Sequence, residues 1–292
     1  MKNDPVESRC RQTLALMLFA ILLTSPFAAA QQRKAQAPKS VRLYVFDCGS
    51  LNIPDTTPYR FKKEELATTM MSVACFLVAH PKGTLIWDTG AVPDSSFKPD
   101  GGPAMLRYAT SSRPFTDRLA EVGYAPADIT YLALSHFHWD HVGNANLFAS
   151  ATWLVSKVER DIMFADPPSS RTEPANFSAL RNSKTIFIAK DEYDVFGDKK
   201  VVIKSAPGHS PGHQVLFLKL AKTGPVVLSG DLYHYPEERK LNKVPTTEFN
   251  ADQTIASRAA IEDFLKKTGA QLWIQHDYTA NAGLKKAPAF YE

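Results

Sequence analysis

Short apolar runs bounded by glycine, proline and charged residues recur along the chain from residue 41 onward. Runs of about four to eight such residues are typical of strands, and longer stretches with helical periodicity indicate helices. The pattern predicts strands at 41–46, 72–79, 84–88, 131–134, 152–155, 185–189, 201–205, 214–220, 225–228 and 271–275. It predicts helices at 115–122, 158–164 and 255–267, with a short helix around Asn146.

The order of these elements indicates an α/β fold built from two similar halves. Two sheets that face each other, with helices as the outermost layers, bury the apolar side of every element. We therefore expect a four-layer αβ/βα sandwich. The long connection at 49–69 contains prolines and charged residues, and connections of that length are usually functional. We expect it to form a lip over a site or a subunit contact, as in a homodimer.

The first thirty residues, 1–30, have the organisation of a secretory signal. Basic residues within 2–11 precede an apolar run at 14–23, and three alanines at 28–30 offer a cleavage site. The apolar run is too short to span a bilayer, although an uncleaved anchor is the alternative. We expect a periplasmic or secreted protein whose single mature domain, 31–292, has no integral membrane span.

Charge and cysteine content narrow the range of possible functions only slightly. The net charge of +4 is small and scattered, which does not match the basic patch of a nucleic-acid-binding protein. Export permits a disulfide between Cys48 and Cys75. Two buried free thiols are at least as compatible with the sequence, because neither cysteine lies in a C-x-x-C or metal-ligand spacing.

Three histidines and an aspartate lie within six residues at 136–141, directly after a predicted strand, in the motif H-x-H-x-D-H. Imidazole and carboxylate are ligands of zinc and other first-row divalent ions. Without a metal, these groups at a buried strand end would cost about 1 to 3 kcal/mol for each unsatisfied group. The motif therefore predicts two metals, one served by His136 and His138 and the other by Asp140 and His141.

Other metal-capable side chains also follow predicted strands. His209 ends a P-G-H sequence, Asp231 ends a G-D pair, and His276 follows the last strand. Enzymes of the α/β class assemble their sites from such strand ends. These three residues complete a set of five histidines and two aspartates.

This combination of motifs, together with W-D-T-G at 87–90, resembles the metallo-β-lactamase superfamily. Within it, the chain is most similar to the N-acyl homoserine lactonases, which are quorum-quenching enzymes and carry all seven ligands. The resemblance covers nearly all of the mature chain. It implies a single metallo-hydrolase domain.

The resemblance also implies a set of ligands for each of two divalent ions, which we expect to be zinc. One ion is assigned to His136, His138 and His209, the other to Asp140, His141 and His276, with Asp231 bridging both. Asp88 is expected to orient the ligand loop, since ligand imidazoles need a partner for their second nitrogen. His213 is expected either to do the same or to cap its turn.

The implied reaction is the opening of a lactone ring. Two ions about 3.5 to 4 Å apart lower the pKa of a shared water and create a bridging hydroxide that attacks the ester carbonyl. The product is a hydroxy acid, which releases one acid equivalent when its new carboxyl group ionises. Asp140 is the candidate that hands a proton to the leaving oxygen.

The chain departs from the family at one position. These lactonases commonly place a tyrosine three residues after the bridging aspartate, where its hydroxyl contacts the substrate carbonyl, whereas this chain has His234. His234 is our candidate for that contact, because a neutral imidazole can also donate a hydrogen bond. Tyr233 is the alternative, and a surface histidine without a role is the third reading of His234.

Four other functions compete with the lactonase. The main alternative is a secreted organophosphate or aryl-ester hydrolase of the same fold. Class B β-lactamases lack a bridging aspartate at the place of Asp231, and glyoxalase II follows its bridging aspartate with Thr-Leu-Phe rather than the Leu-Tyr-His found here. A zinc-binding module without turnover needs only four ligands.

Overall fold

The computed structural model describes Met1 and residues 36–292. The compact unit that contains the described fold runs Arg33–Glu292. The signal predicted at 1–30 lies outside the described residues apart from Met1, so it stays a prediction. Among the described residues, no helix is long and apolar enough to cross a membrane.

The described residues form thirteen strands and five α-helices, joined in several places by 3-10 turns. The strands are β1 (Arg42–Asn52), β2 (Met70–His80), β3 (Gly83–Trp87), β4 (Ala104–Leu106), β5 (Ala109–Ser111), β6 (Tyr131–Ala133), β7 (Thr152–Val155), β8 (Thr185–Phe187), β9 (Glu192–Asp194), β10 (Val201–Ser205), β11 (Gln214–Leu220), β12 (Gly224–Leu228) and β13 (Gln271–Trp273). The helices are α1 (Phe115–Glu121), α2 (Lys157–Met163), α3 (Pro236–Leu241), α4 (Ala251–Thr268) and α5 (Tyr278–Gly283).

The strands form two sheets. The larger has the order β4-β5-β1-β2-β3-β6-β7-β8, and the smaller has the order β13-β12-β11-β10-β9. Strands β3, β6, β7 and β8 pair in parallel, as do β12 and β13. Because the carboxyl ends of parallel strands lie at one edge of a sheet, the loops that follow them collect on one side of the molecule.

Alternating side chains on each strand fill separate cores. On β1, Leu43 and Val45 pack between the two sheets with Ile203 and Leu216 of the smaller sheet. Phe46, on the opposite face, packs with α1 and the loops outside the larger sheet. A third core lies between the smaller sheet and α4. Three cores between four layers confirm the predicted αβ/βα sandwich.

Several elements differ from the sequence prediction. Strand β1 continues to Asn52, where it pairs with β5 of an unpredicted hairpin formed by β4 and β5. Helices α3 and α5 were also not predicted. Helix α4 begins at Ala251 rather than at residue 255, because the side chain of Asn250 accepts a hydrogen bond from the backbone of Gln253 and caps the helix.

A disulfide joins Cys48 on β1 to Cys75 on β2, with 5.8 Å between the Cα atoms. The sequence left this bond and two free thiols as alternatives, and the structure has the bond. It packs directly against Gly90, where an added Cβ would lie 3.1 Å from the Cβ of Cys48. The disulfide therefore lies beneath the turn that follows β3.

Candidate metal centre

All seven predicted ligands meet in one buried cluster at the carboxyl ends of strands from both sheets. One group, whose ligand atoms lie within 4.8 Å of one another, comprises His136, His138, His209 and Asp231. A second group at the same spacing comprises Asp140, His141 and His276. The division matches the two sets that the resemblance implies, and the role of these residues as ligands stays a prediction.

Asp231 stands between the two groups. Its Oδ1 lies 3.1 Å from Nε2 of both His141 and His276. Its Oδ2 lies 3.5 Å from Nε2 of His136 and 3.3 Å from Nε2 of His209. Each carboxylate oxygen therefore faces a different set of imidazoles, which is the arrangement of a carboxylate shared by two cations.

The cluster contains buried polar atoms without hydrogen-bond partners. Among the described residues, Nε2 of His136 and Oδ1 of Asp231 have no hydrogen-bond partner. Imidazole nitrogens lie 3.1 Å from Oδ1 of Asp231, but none of them is aligned for a hydrogen bond. Leaving such atoms unpaired costs about 1 to 3 kcal/mol each. Two divalent cations among these nitrogen and oxygen donors would satisfy them, so the residues fit a dinuclear metal centre.

The protonation of the cluster suits cation binding. Burial lowers the pKa of His136 and of His138 well below the usual value, so both rings are neutral. Burial opposes the ionisation of Asp231, but the imidazoles of His141 and His276 hold its pKa well below the usual range. His136 and His138 therefore offer neutral nitrogens and Asp231 offers a charged carboxylate. At His141, burial acts to lower the pKa, but Asp231 and Asp140 raise it well above its usual value.

Asp88 follows β3 and lies where the sequence predicted it, against a ligand histidine. Its Oδ2 accepts hydrogen bonds from Nδ1 of His141 at 2.9 Å, from the Ser135 hydroxyl at 2.8 Å and from Nε2 of Gln275 at 2.6 Å. Its Oδ1 accepts from the backbone of Ser135 at 2.6 Å. Asp88 thus fixes the ring of His141 and joins the ligand loop after β6 to the end of the smaller sheet.

Two further ligand rings have partners that sequence reasoning missed. Nδ1 of His209 lies 3.0 Å from Oε1 of Glu248, and Nδ1 of His276 lies 2.8 Å from the backbone oxygen of Ser72. Burial acts to raise the pKa of Glu248, but His209 lowers it to about 2. These contacts fix which nitrogen of each ring faces the centre.

His213 holds the backbone of Asp231 rather than a ligand ring. Its Nε2 accepts a hydrogen bond from the N–H of Asp231 at 2.9 Å, and its Nδ1 donates to the oxygen of Ala206 at 2.9 Å. Burial lowers the pKa of His213 to about 4, which keeps the ring neutral and able to accept. Gly230, with φ +50°, approaches it so closely that a Cβ would lie 2.7 Å from Nε2, which explains the G-D sequence.

Glu159 of α2 is a second buried anchor that the sequence did not reveal. Its Oε1 accepts from the backbone of Phe137 at 2.8 Å, and its Oε2 accepts from the backbone of Gly212 at 2.7 Å. The hydroxyl of Ser210 donates to the same carboxylate. Glu159 therefore joins the loop that carries His136 to the loop that carries His209.

A cavity of about 240 Å³ opens above the cluster. Its floor includes Asp140, Asp231 and His276, and apolar or aromatic side chains form much of its walls: Leu51, Tyr59, Met71, Tyr108 and Trp139. Leu51 and Tyr59 come from the connection that was predicted to form a lip, and this part of the prediction is confirmed. The predicted subunit contact stays a prediction.

The comparison with known families agrees with this geometry. The model of the metallo-beta-lactamase superfamily matches residues 68–276, which is more than half of the chain. The chain belongs to the metallo-β-lactamase superfamily. It is a metal-dependent hydrolase of this superfamily.

Curated relatives of this superfamily member align over most of its length. The N-acyl homoserine lactonase AttM of Azorhizobium caulinodans is 29% identical over 271 residues, covering 86% of this chain and 99% of the relative. The N-acyl homoserine lactonase AiiA of Bacillus thuringiensis subsp. kurstaki is 25% identical over 227 residues, covering 75% of this chain and 87% of the relative.

Solved structures share the fold of this superfamily member. An N-acyl homoserine lactone hydrolase with the product N-hexanoyl-L-homoserine bound at its catalytic metal centre has a TM-score of 0.70 and 23% identity, covering 86% of this chain and 99% of that one. AidC, a dizinc quorum-quenching lactonase, has a TM-score of 0.62 and 21% identity, covering 89% of this chain and 96% of AidC. At this identity, the likeness establishes the fold.

The structure separates His234 from Tyr233, the two candidates for a contact with the substrate carbonyl. His234 lines the cavity, with Nε2 lying 3.4 Å from Oδ2 of Asp231 and Nδ1 lying 3.2 Å from Oε1 of Glu238. Burial acts to lower the pKa of His234, but Glu238 raises it to about 10. His234 is therefore a buried side chain of the centre and not a surface loop residue.

Tyr233, the alternative candidate for this contact, does not line the cavity. Its hydroxyl donates to Glu262 at 3.2 Å, and its ring lies beneath the guanidinium of Arg258, 4.2 Å away, in the core against α4. The backbone at Tyr233 is extended, with φ −142° and ψ 137°. Successive side chains of extended backbone point to opposite sides, so Tyr233 faces away when His234 faces the centre.

Proposed function

We propose that the protein is a dinuclear zinc hydrolase that opens the lactone ring of N-acyl homoserine lactones, an activity that quenches quorum signals. The observation that carries the proposal is Asp231, whose two carboxylate oxygens face separate ligand groups at the floor of the cavity. The names of relatives that align over nearly their whole length support the substrate class.

The metals and the chain divide the chemistry. When bound, two divalent ions supply a water nucleophile that is reactive at neutral pH and a Lewis acid for the ester carbonyl. Asp140 lines the cavity, and its Oδ2 lies 3.5 Å from Nε2 of His276. From there it is placed to give a proton to the alkoxide oxygen that departs as the ring opens.

His234 is proposed to stabilise the carbonyl oxygen as it gains negative charge. Glu238 lies beside Nδ1 of His234, is fully buried and is itself paired with Arg258 at 2.6 Å. A ring held in this way presents Nε2 toward the cavity with little reorganisation. Donors held in advance of the reaction stabilise the transition state more than the ground state.

The cavity walls support a substrate with an apolar acyl chain. Leu51, Met71 and Trp139 lie on the same cavity as Asp140 and His276. A lactone carbonyl over the cluster would leave its acyl chain against these side chains, where burial of apolar surface contributes to binding.

A turnover panel tests the proposal. Zinc-loaded protein is assayed with N-hexanoyl homoserine lactone, a β-lactam, a glutathione thioester and a phosphotriester, and acid release is followed in a pH-stat. We expect one acid equivalent for each lactone opened and no β-lactam turnover. Faster hydrolysis of the phosphotriester than of the lactone would favour the organophosphate hydrolase and overturn the proposal.

Export and self-association are further parts of the proposal. We propose that the chain is exported and matures near Gln31, on the strength of the basic, apolar and small-residue order of 1–30. Intact mass after expression in an export-competent host should show this N-terminus, and retention of 1–30 would contradict it. Light scattering on the purified protein tests for the homodimer.

A further inference from the structure

Tyr59 is an aromatic side chain of the cavity that has no role in the proposed mechanism. It ends a 3-10 turn, Thr57–Tyr59, in the connection between β1 and β2. It lines the same cavity as Asp140, Asp231 and His234. Its ring meets the ring of His234 edge-on, with 4.9 Å between the centroids.

The hydroxyl of Tyr59 is available for a ligand. Within residues 36–292, no side chain or backbone group makes a hydrogen bond with this hydroxyl. Its aromatic neighbour Tyr235, by contrast, donates to the backbone oxygen of Thr69 at 3.2 Å. Burial, together with Tyr108 and the carboxylate of Asp140, raises the pKa of Tyr59 well above its usual value, so the phenol keeps its proton and can donate.

The turn that carries Tyr59 is fixed on both sides of the residue. The backbone oxygen of Pro58 accepts from the backbone of Thr246 at 2.7 Å and from its hydroxyl. The backbone oxygen of Arg60 accepts from Nζ of Lys243 at 2.9 Å. A donor held in place by its backbone loses little freedom when a ligand binds.

We propose that Tyr59 is a catalytic residue that donates a hydrogen bond to the substrate carbonyl oxygen as that oxygen becomes negative. The inference rests on the proposed function. It places a phenol beside His234, supplied by the connection between β1 and β2. His234 and Tyr59 then form a pair of donors above Asp231.

Tyr59→Phe is the informative variant, because it keeps the ring against His234 and Tyr235 and removes only the hydroxyl. We expect kcat to fall about tenfold while KM changes by less than about twofold, as for a donor used mainly in the transition state. Tyr193→Phe is the matched control, since Tyr193 lies on β9 at the edge of the smaller sheet and does not line the cavity. The control should keep kcat within about twofold.

A binding measurement gives a second readout that does not depend on turnover. Inorganic phosphate, used as a tetrahedral oxyanion, is titrated calorimetrically into the zinc-loaded wild type and both variants. We expect Tyr59→Phe to weaken phosphate binding about fivefold, as loss of a hydrogen bond to an anion should do, with zinc content unchanged. Tyr193→Phe should bind phosphate like the wild type.

The outcomes separate this inference from the proposed function. If the wild type hydrolyses a phosphotriester or aryl ester but no lactone, the proposed function fails, and the same comparison of kcat is made on that substrate. A lower kcat of Tyr59→Phe on the ester that the wild type hydrolyses supports Tyr59 as the donor. If the wild type hydrolyses no ester, a lower phosphate affinity of Tyr59→Phe supports it instead. Wild-type kcat together with wild-type phosphate affinity in Tyr59→Phe overturns it.

Discussion

Asp88→Asn should loosen one half of the metal centre while leaving every ligand in place. Asp88 is 1% exposed and has φ +57°, a conformation that asparagine also tolerates, so the backbone is not strained by the change. The Oδ2 side of the carboxylate receives three donors and the Oδ1 side receives one. The new amide should therefore keep its oxygen toward His141 and turn its NH₂ toward the backbone N–H of Ser135.

The magnitude follows from these contacts. The buried N–H of Ser135 would lose its acceptor, which costs about 1 to 3 kcal/mol. For a domain of this size, that lowers Tm by roughly 2 to 10 °C. The bond from His141 would also lose its charged acceptor, and changes to such outer partners typically lower metal affinity by about 10- to 100-fold.

Zinc affinity is measured by competition with a chromophoric chelator, and Tm is measured on the chelator-treated protein. We expect one of the two zinc equivalents to bind about 10- to 100-fold more weakly, because Asp88 contacts His141 directly and reaches His136 of the other set only through the hydroxyl of Ser135. Asp161→Asn is the control, since Asp161 lies exposed on α2 and, within the part of the chain that the structure describes, forms its ion pair with Lys157 at the surface. Unchanged zinc affinity and unchanged Tm in Asp88→Asn would refute this account of Asp88.

Three further predictions follow from the same geometry. Asp231→Asn should lose zinc from both halves and nearly all turnover, measured by elemental analysis and kcat; full activity with one metal would contradict a two-ion centre. His234→Ala should lower kcat about 10- to 100-fold with zinc content unchanged, and His234→Tyr should recover part of it; a wild-type kcat in His234→Ala would exclude the proposed donor. In the folded protein the pKa of Glu248 is about 2, below its ordinary value of 4.5. The charged carboxylate therefore stabilises the metal-free fold by about 3 kcal/mol above pH 4.5. This contribution is lost as the pH falls toward 2. In urea unfolding of chelator-treated protein, Glu248→Gln should be less stable than the wild type at pH 6, with a difference that shrinks by pH 3; a difference independent of pH would contradict the assignment.

The sequence predicted most of the fold because most strands are apolar runs. It missed the hairpin of β4 and β5, whose short strands follow Gly101 and Gly102 in a polar stretch. It also began α4 too late. The first turns of that helix bury Thr254 and Arg258, while Ile255, where the helix was predicted to begin, is 54% exposed, so apolar periodicity is absent there.

The clustering of the seven predicted ligands could be foreseen from the sequence, because histidine and aspartate at strand ends form a recognisable motif. The contacts that hold these side chains in place could not be predicted from the sequence. Glu159 and Glu248 are single acids without a local signature, and the partner of His276 is a backbone oxygen, which any residue could supply. Choosing between His234 and Tyr233 required the backbone angles, since one residue along an extended chain reverses the direction of a side chain.

The contacts of the last strand have a consequence for the order of folding. His276 is held by the backbone of Ser72, 204 residues earlier in the chain, and Gln275 reaches Asp88 across 187 residues. Contacts of such long range form late, because the chain must close a large loop before they contribute any stability. A partly folded chain that carries the 136–141 motif therefore has four of the seven predicted ligands in place. On the proposed two-zinc centre, full loading would follow only after the end of the chain has docked, so metal content would measure how completely the protein has folded.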